Sequence, residues 1–238
     1  EDLFEEWAPK GTASDWDNVG LQVGDYCAEA SRVLVALDID REVWNLVSDS
    51  DYDVIITHHP LLFTPIKSID VASDVGRIIK RLMKNNITVL SHHTNLDVAT
   101  GGVNDQLVAS YGLDPEAGQV FPSGFGKWFE LSEIKPLSQF YDVFPSCVRG
   151  SIGVEDVKRI AFCAGSGKSL AQECREQRID LFITGEFGYH ESIYCDFHGI
   201  KVLELGHKES EALILHEIKR RLDDRFSNLS VTVMSADL

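Results

Sequence analysis

The chain is poor in cysteine, and its few thiols are not arranged for thiolate chemistry. There are five (Cys27, Cys147, Cys163, Cys174 and Cys195), odd in number and widely spaced, with no C-x-x-C. A thiolate zinc site is therefore not expected, and reduced cysteines in a cytoplasmic protein are. Positive charge is also scarce: 22 Lys and Arg stand against 38 Asp and Glu, a net charge of −16. No basic surplus is left to displace counterions, so polymeric nucleic acid is not an expected partner, while a small nucleotide held through cations stays open. No apolar run reaches the roughly 18 to 20 residues of a membrane span, so no membrane partner is expected. No signal-peptide pattern is visible, and the chain opens on Glu1 rather than Met, which leaves room for a segment before it. Gly-x-Ser-x-Gly is absent, which removes a serine-nucleophile elbow. A P-loop is excluded as well: Gly167-Lys168-Ser169 has the right ending, but its leading glycine would stand where Phe162 does.

What the chain does have is a pair of histidines at the end of an apolar run, Val54-Ile55-Ile56-Thr57-His58-His59-Pro60. Continuous apolar runs of this length read as buried parallel strands, and ligands of open α/β sheets gather at the carboxyl ends of such strands. If the backbone stays extended, the two imidazoles point to opposite sides. The pattern repeats: a strand over 87–90 runs into Ser91-His92-His93-Thr94-Asn95-Leu96-Asp97, after a helix over 75–85 with a basic last turn.

The remaining order is strand and helix in alternation. Strands are expected at 33–37, 53–57, 158–163, 179–184, 201–205 and 227–234. Helices are expected at 41–50, 101–111, 139–144, 170–177, 189–197 and 209–223. Residues 1–10 read as the tail of a helix ended at Pro9, and 14–25 as a loop leading into a short strand. That loop is either a turn with a packed Trp16 or a wall of the site. Residues 112–126 read as a passage between lobes and 133–138 as a loop. The Gly165–Ser169 segment opens a helix, as a weak anion site or a plain turn. The 238 residues allow one large domain or two compact ones.

Gly206-His207-x-x-x-Glu211 ends another strand, and a spacing of four puts His207 and Glu211 on one side of a helical turn. Together His58, His59, Asp97, His207 and Glu211 have the composition of a two-metal site: imidazoles and carboxylates, no thiolate. Asp97 is the natural bridge. Such donors suit two divalent ions among Zn, Fe, Mn and Co. With so few ligands for two ions, open positions point to catalysis rather than structure. His92 and His93 are ligands, supports of ligands or acid–base groups, and Glu186 joins them as a proton-shuttle candidate.

Several segments also resemble a known family. Asp15-Trp16-Asp17-Asn18-Val19-Gly20-Leu21-Gln22-Val23-Gly24, Ile56-Thr57-His58-His59-Pro60, Ser91-x-His93-Thr94-Asn95-Leu96-Asp97, Gly102-Val103-Asn104-Asp105, Thr184-Gly185-Glu186 and Gly206-His207-x-x-x-Glu211 occur in this order. The chain thus resembles the GTP cyclohydrolase I type 2 homologue family, also called the NGG-one-interacting-factor-three-like family. The resemblance implies two α/β lobes with a dinuclear metal centre in the cleft between them, with His58, His59, Asp97, His207 and Glu211 on the ligand positions. It further implies a discontinuous first lobe, 1–104 plus 206–238, and a second, 105–205. It implies a homohexamer built as a trimer of dimers. For activity it implies a metal-dependent hydrolase using a metal-activated water, in the named case opening the guanine ring of GTP. A nucleotide phosphoesterase and a non-enzymatic metal-binding regulatory or interaction protein are the alternatives.

Overall fold

A computed structural model describes residues 1–49, 52–141, 143, 149–150 and 156–234. The chain forms two compact units, Glu1–Thr100 with Ile214–Ser235 and Gly101–Leu213. The first begins with α1 (Asp2–Trp7), β1 (Gly20–Val23), β2 (Arg32–Ala36), α2 (Arg41–Asp49), β3 (Val54–Thr57), α3 (Asp74–Lys84), β4 (Thr88–Ser91) and α4 (Thr94–Val98). The second holds α5 (Val103–Ser110), β5 (Gln119–Val120), β6 (Lys127–Pro136), β7 (Arg149–Gly150), β8 (Asp156–Ser166), α6 (Ala171–Glu176), β9 (Leu181–Glu186), α7 (Tyr189–Phe197), β10 (Lys201–Glu204) and α8 (His207–Glu211). The helix α9 (Leu213–Arg225) and the strand β11 (Ser230–Val233) return the chain to the first unit.

The sheet of the first unit has the order β1-β4-β3-β2-β11, parallel except for β1. Its central strands are largely apolar and buried on both faces; the successive residues Leu34 and Val35, and Ile55 and Val89, are fully buried, and the polar residues Thr57, Thr88 and Ser91 at strand ends are buried too. Register matters most here. Ala36 pairs with Thr57 and Thr57 with Ser91, so three strands end level with one another. Two residues beyond those level ends stand Asp38, His59 and His93.

The second unit's sheet has the order β5-β6-β8-β9-β10-β7, with β8, β9 and β10 parallel. Its core includes Phe121, Trp128, Phe182 and the buried thiols Cys163, Cys174 and Cys195. Burial pushes the Cys195 thiol up to about 11 and Cys174 higher still, so neither supplies a thiolate near neutral pH.

Several boundaries differ from the sequence expectation. Residues 133–136, read as a loop, extend β6, whose polar outer face and register shift between Glu130 and Lys135 hide the strand pattern. The strand expected to stop at Cys163 continues to Ser166, because Ser166 pairs with Glu186 on β9. The single helix expected over 209–223 is two, α8 and α9. The helix expected over 139–144 is a 3-10 turn, Leu137–Phe140, and residues 142 and 144 of that expectation lie outside the described residues. The partition also differs: residues 101–104 and 206–213 belong with the second unit. The reason is local, since the Ser210 hydroxyl accepts from the Gly165 N–H at 2.9 Å and ties α8 to β8.

Among the described residues, no helix is long and apolar enough to cross a membrane.

Candidate metal centre

In the first unit the two histidines do not diverge. Strand β3 ends at Thr57, whose hydroxyl donates to the His59 carbonyl at 2.8 Å and turns the chain. The rings of His58 and His59 then lie 4.8 Å apart, and that of His93 is 5.2 Å from the first and 5.5 Å from the second. One donor atom from each of these three comes within 4.8 Å of the others. The expectation of opposite-facing imidazoles fails because the strand is over before they begin.

Each ring is held through Nδ1. His58 Nδ1 lies 2.9 Å from the His92 carbonyl, His59 Nδ1 3.0 Å from Asp38 Oδ2, and His93 Nδ1 3.0 Å from Asp17 Oδ1. This is the arrangement by which metal-binding histidines are oriented: one nitrogen to a protein oxygen, the other to the ion. Asp17 is fixed in turn. Burial alone would raise its pKa, but hydrogen bonds from His93 and Thr94 overcome this and hold the carboxyl well below the usual range. Its Oδ2 accepts from Thr94 N at 3.0 Å and from Thr94 Oγ1 at 2.5 Å.

His58 is the most telling of the three. It is fully buried. A carbonyl oxygen only accepts, so Nδ1 carries a proton, and in the neutral form of such a ring Nε2 presents a lone pair. That nitrogen is 3.6 Å from Asp97 Oδ1, on α4. A lone pair and a carboxylate oxygen repel unless a proton or a metal ion stands between them. The donor set fits a hard or borderline divalent cation.

His92 goes elsewhere. Its ring stacks on Phe4 at 3.7 Å, its Nδ1 is 3.3 Å from Asn95 Nδ2, and its Nε2 is 3.7 Å from Glu1 Oε2. Asn95 donates, so this ring carries its proton on Nε2, the opposite tautomer to His58. Burial first, with nearby positive charge, lowers its pKa to about 3. A neutral, packed ring is a poor proton shuttle, and that expectation is not supported by its surroundings. It has a cost in acid. The unfolded chain takes up a proton near pH 6.5 and the folded chain only near 3, so stability from this site is complete above 6.5 and is lost as pH falls below it. His92→Phe is expected to remove that loss. Between pH 7.5 and pH 5, urea titrations should show wild type losing roughly 2 kcal/mol more than the variant.

In the second unit the parallel strands β8, β9 and β10 deliver Gly165, Gly185-Glu186 and Gly206-His207 to one edge. His207 Nε2 lies 3.3 Å from Glu211 Oε1, as the spacing of four requires, and its Nδ1 lies 3.2 Å from Glu186 Oε2. Glu186 also pairs with Lys168. Lys168 first and His207 second lower the Glu186 pKa, so the group is ionised and positions His207. The glycines of the 165–169 segment sit where a side chain would not fit. A Cβ on Gly165, whose φ is +62°, would fall 2.2 Å from Glu211 Oε1, and one on Gly167 2.4 Å from Thr184 Oγ1.

Two supporting carboxylates were not among the expected site residues. Asp38 was legible only as a strand end; its position level with His59 depends on register. Asp17 lay in a loop that read equally well as a turn.

The whole chain, residues 1–238, matches the family described as Duf34/NIF3 (NGG1p interacting factor 3). A GTP cyclohydrolase 1 type 2 homolog of Clostridium perfringens is 31% identical over 247 residues, spanning 95% of this chain and 90% of its own. One from Methanocaldococcus jannaschii is 30% identical over 247 residues, spanning 99% and 97%. Among solved structures, reduced HcgD from Methanocaldococcus jannaschii superposes with a TM-score of 0.85 at 26% identity, covering 98% of this chain and 95% of its own. A hypothetical protein of Staphylococcus aureus gives 0.83 at 26%, covering 99% and 95%. The chain belongs to the Duf34/NIF3 family.

Proposed function

We propose that this Duf34/NIF3 chain is a dinuclear metal-binding protein and a metal-dependent hydrolase. The residues proposed to hold metal are His58, His59, His93, Asp97, His207 and Glu211. The observation that carries the reading is the buried His58 Nε2 facing the Asp97 carboxylate at 3.6 Å, with Nδ1 committed to a carbonyl. The same Nδ1 anchoring of His59, His93 and His207 supports it.

Two divalent ions would supply Lewis acidity and a water of lowered pKa. The chain's own residues do the rest. Asp38, Asp17 and Glu186 hold the imidazole rings by their Nδ1 protons, so that donor geometry is set before any ion arrives. Glu186 stays ionised beside Lys168 and fixes His207.

The names of the curated relatives point to GTP as the first substrate to try. Metal-loaded protein is incubated with GTP, and formate and the ring-opened product are measured, beside a panel of nucleotides and model phosphodiesters. Formate release supports the cyclohydrolase form of the reading, and phosphate release the phosphoesterase form. Bound metal without turnover on any of them removes the hydrolase and leaves a metal-binding regulatory role. The assembly proposed with it is a hexamer, a trimer of dimers, which sedimentation tests directly.

A further inference from the structure

Two large aromatic side chains stand open beside the histidine cluster. Trp16 is 61% and Phe63 52% exposed. Their rings meet edge to face at 5.7 Å, and each also reaches His93, at 6.0 Å and 6.2 Å. Such rings are normally withdrawn from water, since an indole or phenyl face is among the largest apolar surfaces a residue can bury. Here the backbone on either side is pinned by polar groups. Asp17, next to Trp16, is locked to Thr94 and His93. Leu62, next to Phe63, is tied at both backbone atoms: Asn18 Nδ2 donates to its carbonyl at 2.8 Å, and its N–H donates to Gln22 Oε1 at 3.1 Å. Gln22 Nε2 closes the network on the Asn18 carbonyl at 2.7 Å. The Asp-Trp-Asp-Asn-Val-Gly-Leu-Gln segment is thus a scaffold that fixes the backbone beside two exposed rings, which stand next to a candidate metal ligand.

We propose that Trp16 and Phe63 form the recognition wall of the metal site and take a planar heteroaromatic ring. The proposal rests on the metal-binding reading above. Fixed aromatic faces favour flat π-systems over aliphatic ligands and bind them with little ordering cost, because the wall is already in place. A ring nitrogen or exocyclic oxygen of such a ligand supplies the further donor an open metal site requires. Contact with His93 makes the wall part of the site: whatever covers Trp16 and Phe63 also stands over the donor cluster. A second protein copy seated there would close that cluster to substrate.

The test loads the full chain with Zn2+ and titrates it with guanosine, whose base is flat and rich in donors, using ribose as the base-free control. Zinc content and sedimentation are measured on the same samples. Guanosine is expected to bind and ribose not. Trp16→Ala and Phe63→Ala are each expected to weaken guanosine about tenfold, in line with the loss of one stacking partner. Trp16→Phe should recover most of the affinity, and all variants should hold wild-type zinc. Equal affinity in wild type and both alanine variants, or no guanosine binding by zinc-replete protein, overturns the proposal and leaves the metal reading standing. A changed subunit number in Trp16→Ala with unchanged guanosine affinity assigns the pair to a contact between copies and overturns it too. Wild-type protein that takes up neither zinc nor, offered in turn, Fe, Mn or Co overturns the metal reading, and this proposal with it.

Discussion

Asp97→Asn is expected to make the metal-free protein more stable and the metal complex far weaker. The two effects have one origin. With a proton on Nδ1, the neutral form of the His58 ring presents its Nε2 lone pair to Asp97 Oδ1 at 3.6 Å. An asparagine amide at the same place donates a hydrogen bond to that nitrogen, worth about 1 kcal/mol. The same amide is a poor metal ligand and carries no charge to set against two cations. Metal affinity should fall by at least about 100-fold, the upper end of what even a ligand's supporting partner is worth. Thermal melts of chelator-treated protein at pH 8 and competitive zinc titrations read the two effects. If the pair were instead a structural imidazolium–carboxylate bridge, the substitution would lower stability, because it would leave a buried charge without its partner. The sign of the stability change therefore decides between the two accounts.

The second large effect comes from a residue with no side chain. Gly165→Ala is expected to destabilise the protein by roughly 2 to 4 kcal/mol and to weaken metal binding, although no ligand is removed. The backbone there has φ +62°, and the new methyl would lie 2.2 Å from Glu211 Oε1 and 3.4 Å from His207 Nε2. Glu211 is only 4% exposed, so its carboxylate cannot swing away without losing its place beside His207. Gly199→Ala separates the causes, since Gly199 also has positive φ, +72°, and open space around it. It should show the backbone strain of about 1 to 2 kcal/mol alone and leave metal affinity unchanged. Equal destabilisation by both substitutions would mean that the Gly165 contact with Glu211 has no energetic weight.

Much of this was legible before any coordinates. Apolar runs ending in His58-His59 and His92-His93 fixed the buried strands and put donors at their carboxyl ends. A spacing of four placed His207 beside Glu211. What stayed hidden depends on pairing between distant strands. Asp38 supports His59 only because β2 and β3 end level, and nothing in either segment states that register. The same holds for the end of β8, where Ser166 reads as part of a turn until Glu186 of β9 pairs with it past a register shift. His92 and His93 are neighbours of one type, yet one packs on Phe4 and the other joins the cluster; no local signal separates them. The boundary between units was misplaced for a similar reason, because a hydroxyl, Ser210, decides where α8 belongs.

The most direct test of the central claim is anomalous scattering from crystals of protein purified without chelator, recorded at the absorption edges of Zn, Fe, Mn and Co. The account predicts two peaks, each within bonding distance of donors drawn from His58, His59, His93, Asp97, His207 and Glu211. An absence of peaks at these residues in protein that has been offered each metal would contradict it.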